Sequence, residues 1–292
     1  MSDALSLFQY DFMIRALIGA LIIGLAAPSL GIYLVQRKLS LIGDGIGHVA
    51  LTGVGIGLLM HRSPVIAAVV VAIIGAVGIE LLRERGRTSG DMALALLFYG
   101  GIAGGVMLVG LSDSSSAALT SYLFGALTTT QTADLITIGV LGGLVLITML
   151  LLRPALFAVC QDEEYARVSG LPVRTLNLIL AVTTAVTVTI AMRTVGLLLI
   201  SALMVIPVAA AQQFTRGFRA TMTAAMLFGL LAAGSGLFVA AGLDTAPGAS
   251  VVVLAIAIFL VVSAAVAVRH ALHRRRTPPA ATEPEPQEVV LR

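Results

Sequence analysis

Nine stretches of this chain are apolar and long enough to be read as membrane crossings, and that limits its fold more than any other feature. They are 12–35, 46–60, 64–83, 92–111, 133–152, 175–192, 195–213, 219–241 and 247–268. A spanning helix needs about 20 largely apolar residues. The second stretch is short, and the Ser/Thr-rich piece 114–131 is too polar for a full span. That piece reads as a re-entrant turn or a short surface helix. The expected fold is all-α: a polytopic membrane helix bundle with about nine transmembrane helices, eight to ten as the range.

Composition agrees. Of the 292 residues, 58% are hydrophobic and 11% charged, against about 25% charged in a soluble domain. The 30 glycines, many inside apolar runs, suit close helix–helix approach in lipid. A net charge of +3 gives no sign of nucleic-acid binding. The basic residues instead fall in alternate loops: Arg37 and Lys38; Arg83, Arg85 and Arg87; Arg153, Arg167 and Arg174; Arg216 and Arg219. His270, His273 and Arg274–Arg276 follow the last span, whereas the opposite loops hold Asp113, Asp244, Arg62, Arg193 and little else charged. The positive-inside rule then puts the N-terminus outside and the C-terminus in the cytoplasm, as an odd number of spans requires. Residues 1–11 form an outer segment without the basic region of a secretory signal, 12–268 the transmembrane domain, and 269–292 a proline-rich, disordered cytoplasmic tail. Cys160 is the sole cysteine, which excludes an intramolecular disulfide and a cysteine-rich metal cluster.

Within GDGIGHVALTGVGIG (43–57), Asp44 and His48 stand four residues apart. On a helix that spacing puts both on one face, with Cβ atoms about 5–6 Å apart. Ionisable groups at membrane depth are costly and mark pathways or ion sites. A carboxylate with an imidazole suits a borderline divalent cation such as zinc or manganese. Two structural readings compete: Asp44 caps the helix that begins near Gly45, and His48 is hydrogen-bonded and chemically silent. Gly45 and Gly47 suggest a loosened or broken helix, since each costs about 1 kcal/mol against alanine.

The loop RPALFAVCQDEEYARVSGLPVRTLN (153–177) is the second signal. Asp162 is placed to cap a short helix near 161–170, Glu163 and Glu164 favour its first turn, and Gly170 with Pro172 stops it. Such a helix at the inner face is either a solvated loop element or a docking element for a soluble partner. No GxxxxGK[ST] phosphate loop is present, so any ATP chemistry must come from another chain.

This loop and the following VGLLLISALMVIPVAAA (195–211) resemble the membrane permeases of zinc/manganese/iron ABC importers. Glu163, Glu164, Ala166, Gly170 and Pro172 match the family's coupling-loop pattern, and 33–57, with its basic pair, Gly-Asp and His, matches the family's early segment. The resemblance spans about 12–268. It implies a fold like that of type II ABC importers, in the inner (cytoplasmic) membrane. It implies that metal passes Asp44 and His48, and that Asp162, Glu163, Glu164, Ala166, Arg167, Gly170 and Pro172 couple to an ATPase subunit. Further implied partners are an extracytoplasmic metal-binding protein, a second copy in a homodimer with two facing Asp–His pairs, and membrane lipid. The chain itself would be no enzyme and would hold no permanent cofactor, only the zinc or manganese it carries. Rival readings are a permease for iron chelates or cobalamin, and a self-sufficient secondary metal transporter. Among other polar residues, Glu80 is expected in an interfacial ion pair with Arg83 or Arg87, and Arg15 and Arg193 snorkelling at span ends. His61 is expected at the outer interface, and Pro28 and Pro207 at kinks.

Overall fold

A computed structural model describes residues 11–84, 90–112, 116–125, 132–192, 194–197 and 199–276. Among them are twelve helices and no strand. They are α1 (Asp11–Gln36), α2 (Ile42–Leu59), α3 (Pro64–Glu84), α4 (Gly90–Leu111), α5 (Ser116–Phe124) and α6 (Thr132–Leu151). There follow α7 (Arg153–Gln161), α8 (Glu163–Val168), α9 (Val173–Ala191), α10 (Ile200–Gln212), α11 (Phe218–Leu243) and α12 (Pro247–Arg276).

Eight helices are long and apolar enough to cross a membrane: α1, α2, α3, α4, α6, α9, α11 and α12. The difference from nine lies in 195–213. There the chain leaves α9, passes through turns that include Gly196 at φ +90°, and resumes as the 13-residue α10. Only part of this apolar stretch is helical, so hydropathy alone reads it as a longer helix than it forms. The Ser/Thr-rich piece supplies α5, which ends at Gly125 (φ +78°). The Leu197 N–H donates to the Tyr122 carbonyl at 3.0 Å, so α5 props the irregular segment that leads into α10.

Helices α1, α2 and α9 bury most of their length, while α12 is largely exposed along its apolar surface. α1 packs against α6, α9, α10 and α11; α2 lies against α3, α4 and α9. Glycine sets these distances. A Cβ on Gly101 of α4 would lie 2.5 Å from the backbone carbonyl carbon of His48, and one on Gly24 of α1 2.8 Å from the Gly229 carbonyl oxygen of α11. The same holds within α2, where Gly53 and Gly57 abut Ala68 and Pro64 of α3. The glycines around His48 therefore do not break the helix: α2 is continuous from Ile42 to Leu59. Their low helix propensity is outweighed by the contacts that bare backbone allows. Pro28 and Pro207 likewise sit inside uninterrupted helices.

Three helix ends share one geometry. After α1, the Leu39 and Lys38 N–H groups return to the Leu34 and Val35 carbonyls, with Lys38 at φ +58°. After α2, Arg62 and His61 return to Gly57 and Leu58, with His61 at φ +50°. After α8, Leu171 and Gly170 return to Ala166 and Arg167, with Gly170 at φ +82°. Each satisfies two carbonyls that a helix end leaves open. At the far end of the chain, α12 continues to Arg276, so the expected tail from 269 begins as helix; 277–292 lie outside the described residues, as do 1–10, Arg85, Arg87, Asp113 and Arg193.

Gly31 tests the packing argument. A Cβ there would collide with the Met204 carbonyl oxygen of α10. Gly31→Ala should destabilise the purified protein by about 1–3 kcal/mol through overpacking, read as a lower unfolding temperature in detergent. Gly78→Ala, where added bulk meets nothing, should not.

Candidate functional site

Asp44 is the third residue of α2 and His48 follows one turn later. The residue in the N-cap position is Leu41, which makes no side-chain cap hydrogen bond. The Asp44 carboxylate reaches across to α10 instead, where it accepts a hydrogen bond from the Ser201 hydroxyl. The capping reading of Asp44 therefore gives way to a contact between two helices. His48 is 7% exposed and packs edge-on against Phe98 of α4, ring centroids 4.4 Å apart. Its Nδ1 is buried and has no hydrogen-bond partner among the described residues.

A buried ring nitrogen without a partner is uncommon, because burial strips its hydration and nothing replaces it. Among the described residues no three of His, Cys, Asp and Glu come close enough to hold an ion together. The local inventory is therefore one carboxylate, one imidazole and one hydroxyl. Two strong donors from one chain leave a divalent ion under-coordinated relative to the four ligands zinc takes.

The inner-loop residues assemble as a second cluster. The Asp162 side chain caps α8, accepting from the Tyr165 N–H at 2.9 Å. Glu163 and Ala166 face inward; Glu164, Tyr165, Arg167, Val168, Gly170 and Pro172 are exposed. Tyr165 and Val168 are 69% and 88% exposed, large for apolar side chains on a helix of six residues. Glu163 is held by Arg37, at 3.0 Å, and by Arg167, at 3.5 Å. Arg37 also donates to Asn177 of α9 at 2.7 Å, and its side chain is only 9% exposed. One guanidinium thus ties the end of α1 to α8 and α9. Beside it, Glu80 pairs with Arg83 at 3.0 Å, as expected, and Glu84 with Arg174 at 3.1 Å. A cavity of about 220 Å³ lies among these charges.

Other expected residues settle into structural roles. Arg15 donates to the Asp11 carbonyl and to Thr132 on α6, and exposed His61 closes α2 in the left-handed conformation. Burial pushes the Cys160 thiol up to about 11, against the lowering effect of nearby Arg37, so it stays protonated at neutral pH. Ser201 and Arg37 were missed by sequence reasoning. Ser201 reads as one small polar residue in an apolar run, and Arg37 as an orientation charge. Only their distant partners, 157 and 126 positions away, reveal them.

The sequence model of the ABC 3 transport family matches residues 9–266. The chain belongs to that family. Among curated proteins of this kind, the high-affinity zinc uptake system membrane protein ZnuB of Haemophilus influenzae is 32% identical over 86% of this chain and 97% of its own length. The manganese transport system membrane protein MntC of Halalkalibacterium halodurans is 30% identical over 87% of each chain. The chelated iron transport system membrane protein YfeD of Yersinia pestis is 31% identical over 87% of this chain and 85% of its own. Among solved structures, PsaBC from Streptococcus pneumoniae in complex with Fab superimposes with a TM-score of 0.78 at 28% identity, over 89% of this chain and 94% of that one. The matches to these curated proteins and to this structure extend over 86–89% of the chain.

Arg37→Ala should leave Glu163 and Asn177 without their shared donor and lower stability by about 1–3 kcal/mol. Thermal unfolding of the solubilised protein checks it. Arg37→Lys, which keeps the charge but loses the two-pronged geometry, should fall between the two.

Proposed function

We propose that this chain is the membrane subunit of an ATP-driven importer of divalent transition metal ions, zinc or manganese, with ferrous iron as a further substrate. The observation that carries the reading is the pairing of Asp44 with a buried, unpartnered His48 Nδ1 one helical turn away. Neutral imidazole and carboxylate are ligands for these cations. Two per chain bind weakly, which suits an ion that must leave again. A second copy facing this one would bring the strong donors to four. The names borne by the curated relatives divide among zinc, manganese and chelated iron.

The energy source is a separate ATPase. Its docking surface is the outward side of α8, where Tyr165 and Val168 offer apolar contact beside Glu164 and Arg167. The inward side, through Glu163 and Arg37, passes movement of α8 to the end of α1 and across Lys38–Leu41 to α2, which carries Asp44 and His48. An extracytoplasmic binding protein delivers the ion on the opposite side. In this reading the irregular segment with α10 completes the ninth crossing, so the N-terminus lies outside and the C-terminus inside, in keeping with the basic loops. A wide-cavity permease for metal chelates would have little use for a charged pair among closely packed glycines.

Two measurements test this. Metal uptake by cells or by reconstituted transporter should fall by roughly 10- to 100-fold or more in Asp44→Ala and His48→Ala, with assembly intact by size-exclusion chromatography. Unchanged uptake in either would remove that residue from the path. ATPase that co-purifies with the wild type should be lost from Glu164→Ala and from Gly170→Val, whose side chain costs about 1–2 kcal/mol at positive φ. Uptake by this chain alone in liposomes, without ATP, would point to a secondary transporter instead.

A further inference from the structure

Ser201 occupies an unusual place. It is the second residue of α10, where the chain resumes a helix after the turns that follow α9. It is 7% exposed, and its hydroxyl points at the Asp44 carboxylate. Asp44 itself lies in the first turn of α2. Asp44 thus stands in the first turn of its own helix and takes its hydrogen bond from the first turn of another.

That hydrogen bond takes up one acceptor position of the Asp44 carboxylate. It leaves His48 Nδ1, one turn along the same face, with no partner. A hydroxyl that donates to a carboxylate reduces the electron density it can offer a cation and fixes its rotamer. The carboxylate is thus engaged with α10, while the Nδ1 of the imidazole that would share an ion with it has no hydrogen-bond partner among the described residues.

α10 is also placed to change this contact. Its start is gripped from several sides: the Leu197 N–H by the Tyr122 carbonyl of α5, and the Val195 carbonyl by close approach of Gly248 of α12. Its body packs on α1, α11 and α12 and only lightly on α2. Because α10 touches α2 so lightly, the hydrogen bond between Ser201 and Asp44 is a principal tie between the two helices.

We propose that Ser201 is a latch on the metal site: a positioning residue that competes with the ion for the Asp44 carboxylate and so sets how readily the ion is released. The proposal rests on the reading of Asp44 and His48 as the metal pair. With the hydroxyl in place the carboxylate is a moderated ligand and the ion moves on. Without it the carboxylate is free to hold the ion beside His48, and turnover slows.

The test compares wild type, Ser201→Ala and Ser201→Thr as the complete transporter. Zinc and manganese affinity is read by competition with a chelating dye, and KM and kcat by metal uptake into proteoliposomes. In Ser201→Ala, the dissociation constant and KM should fall roughly tenfold, about 1.4 kcal/mol, while kcat falls with them; Ser201→Thr, which retains the hydroxyl, should stay near wild type. Ser201→Gly gives the same readout should the alanine variant assemble poorly. Unchanged constants would overturn the latch, and so would a weaker affinity, which would make Ser201 an ordinary ligand. Asp44→Asn separates the two levels. If it abolishes uptake while Ser201→Ala behaves as wild type, only the latch fails; if it transports normally, the metal pair fails and the latch with it.

Discussion

Hydrocarbon offers a backbone no hydrogen-bond partners, and the architecture follows from that constraint. Each crossing helix must satisfy its own amides, and the apolar effect that joins helices in water is absent between them in lipid. What remains is close contact, and glycine supplies it. At Gly24 against Gly229, Gly31 against Met204 and Gly101 against His48, backbone meets backbone or nearly so. The helix that carries Asp44 and His48 is held at its middle by the smallest residues in the chain. Side chains that would otherwise fill the space are absent, so the few polar groups present are fixed in place.

Against that background the exceptions are informative. Helix structure lapses where α9 gives way to α10, and the resulting helix start is turned toward Asp44. Ionisable groups cluster where Arg37 gathers α1, α8 and α9 around a single guanidinium. These two departures from a plain bundle lie at the two ends of the short path from Arg37 through Lys38–Leu41 to Asp44. Packing gives rigidity everywhere else; the polar contacts give two places where the arrangement has an alternative.

Much of this could be read from the residues. Hydropathy located every full-length helix, because a 20-residue apolar run in a chain so poor in charge has few other uses. The short helix at 163–168 followed from Asp162 as cap and Gly170 as stop, both local chemistry. The sequence reading failed where the determinant was distant. Gly45 and Gly47 looked like helix breakers, because propensity is a property of an isolated helix; packing against α4 and α9 reverses the balance. The alternative of Asp44 as a cap stayed open in the sequence, because the partner that closes it lies on α10. The span at 195–213 looked whole, because hydropathy averages over Gly196, whose positive φ turns the chain. The side-chain register of Asp44 and His48 was legible from spacing; the partner that moderates one of them was not.

The two sides of α8 answer to different constraints. Glu163 and Ala166 are committed to the bundle, and any change in them is felt by Arg37 and the helices it joins. Glu164, Tyr165 and Val168 are exposed. The outward side can therefore be rewritten, residue by residue, without disturbing how the permease folds. Under the docking role proposed for it, a six-residue helix so divided is an exchangeable address: sister transporters in one cell can stay loyal to their own motors, and a chimera carrying a foreign address should recruit a foreign one.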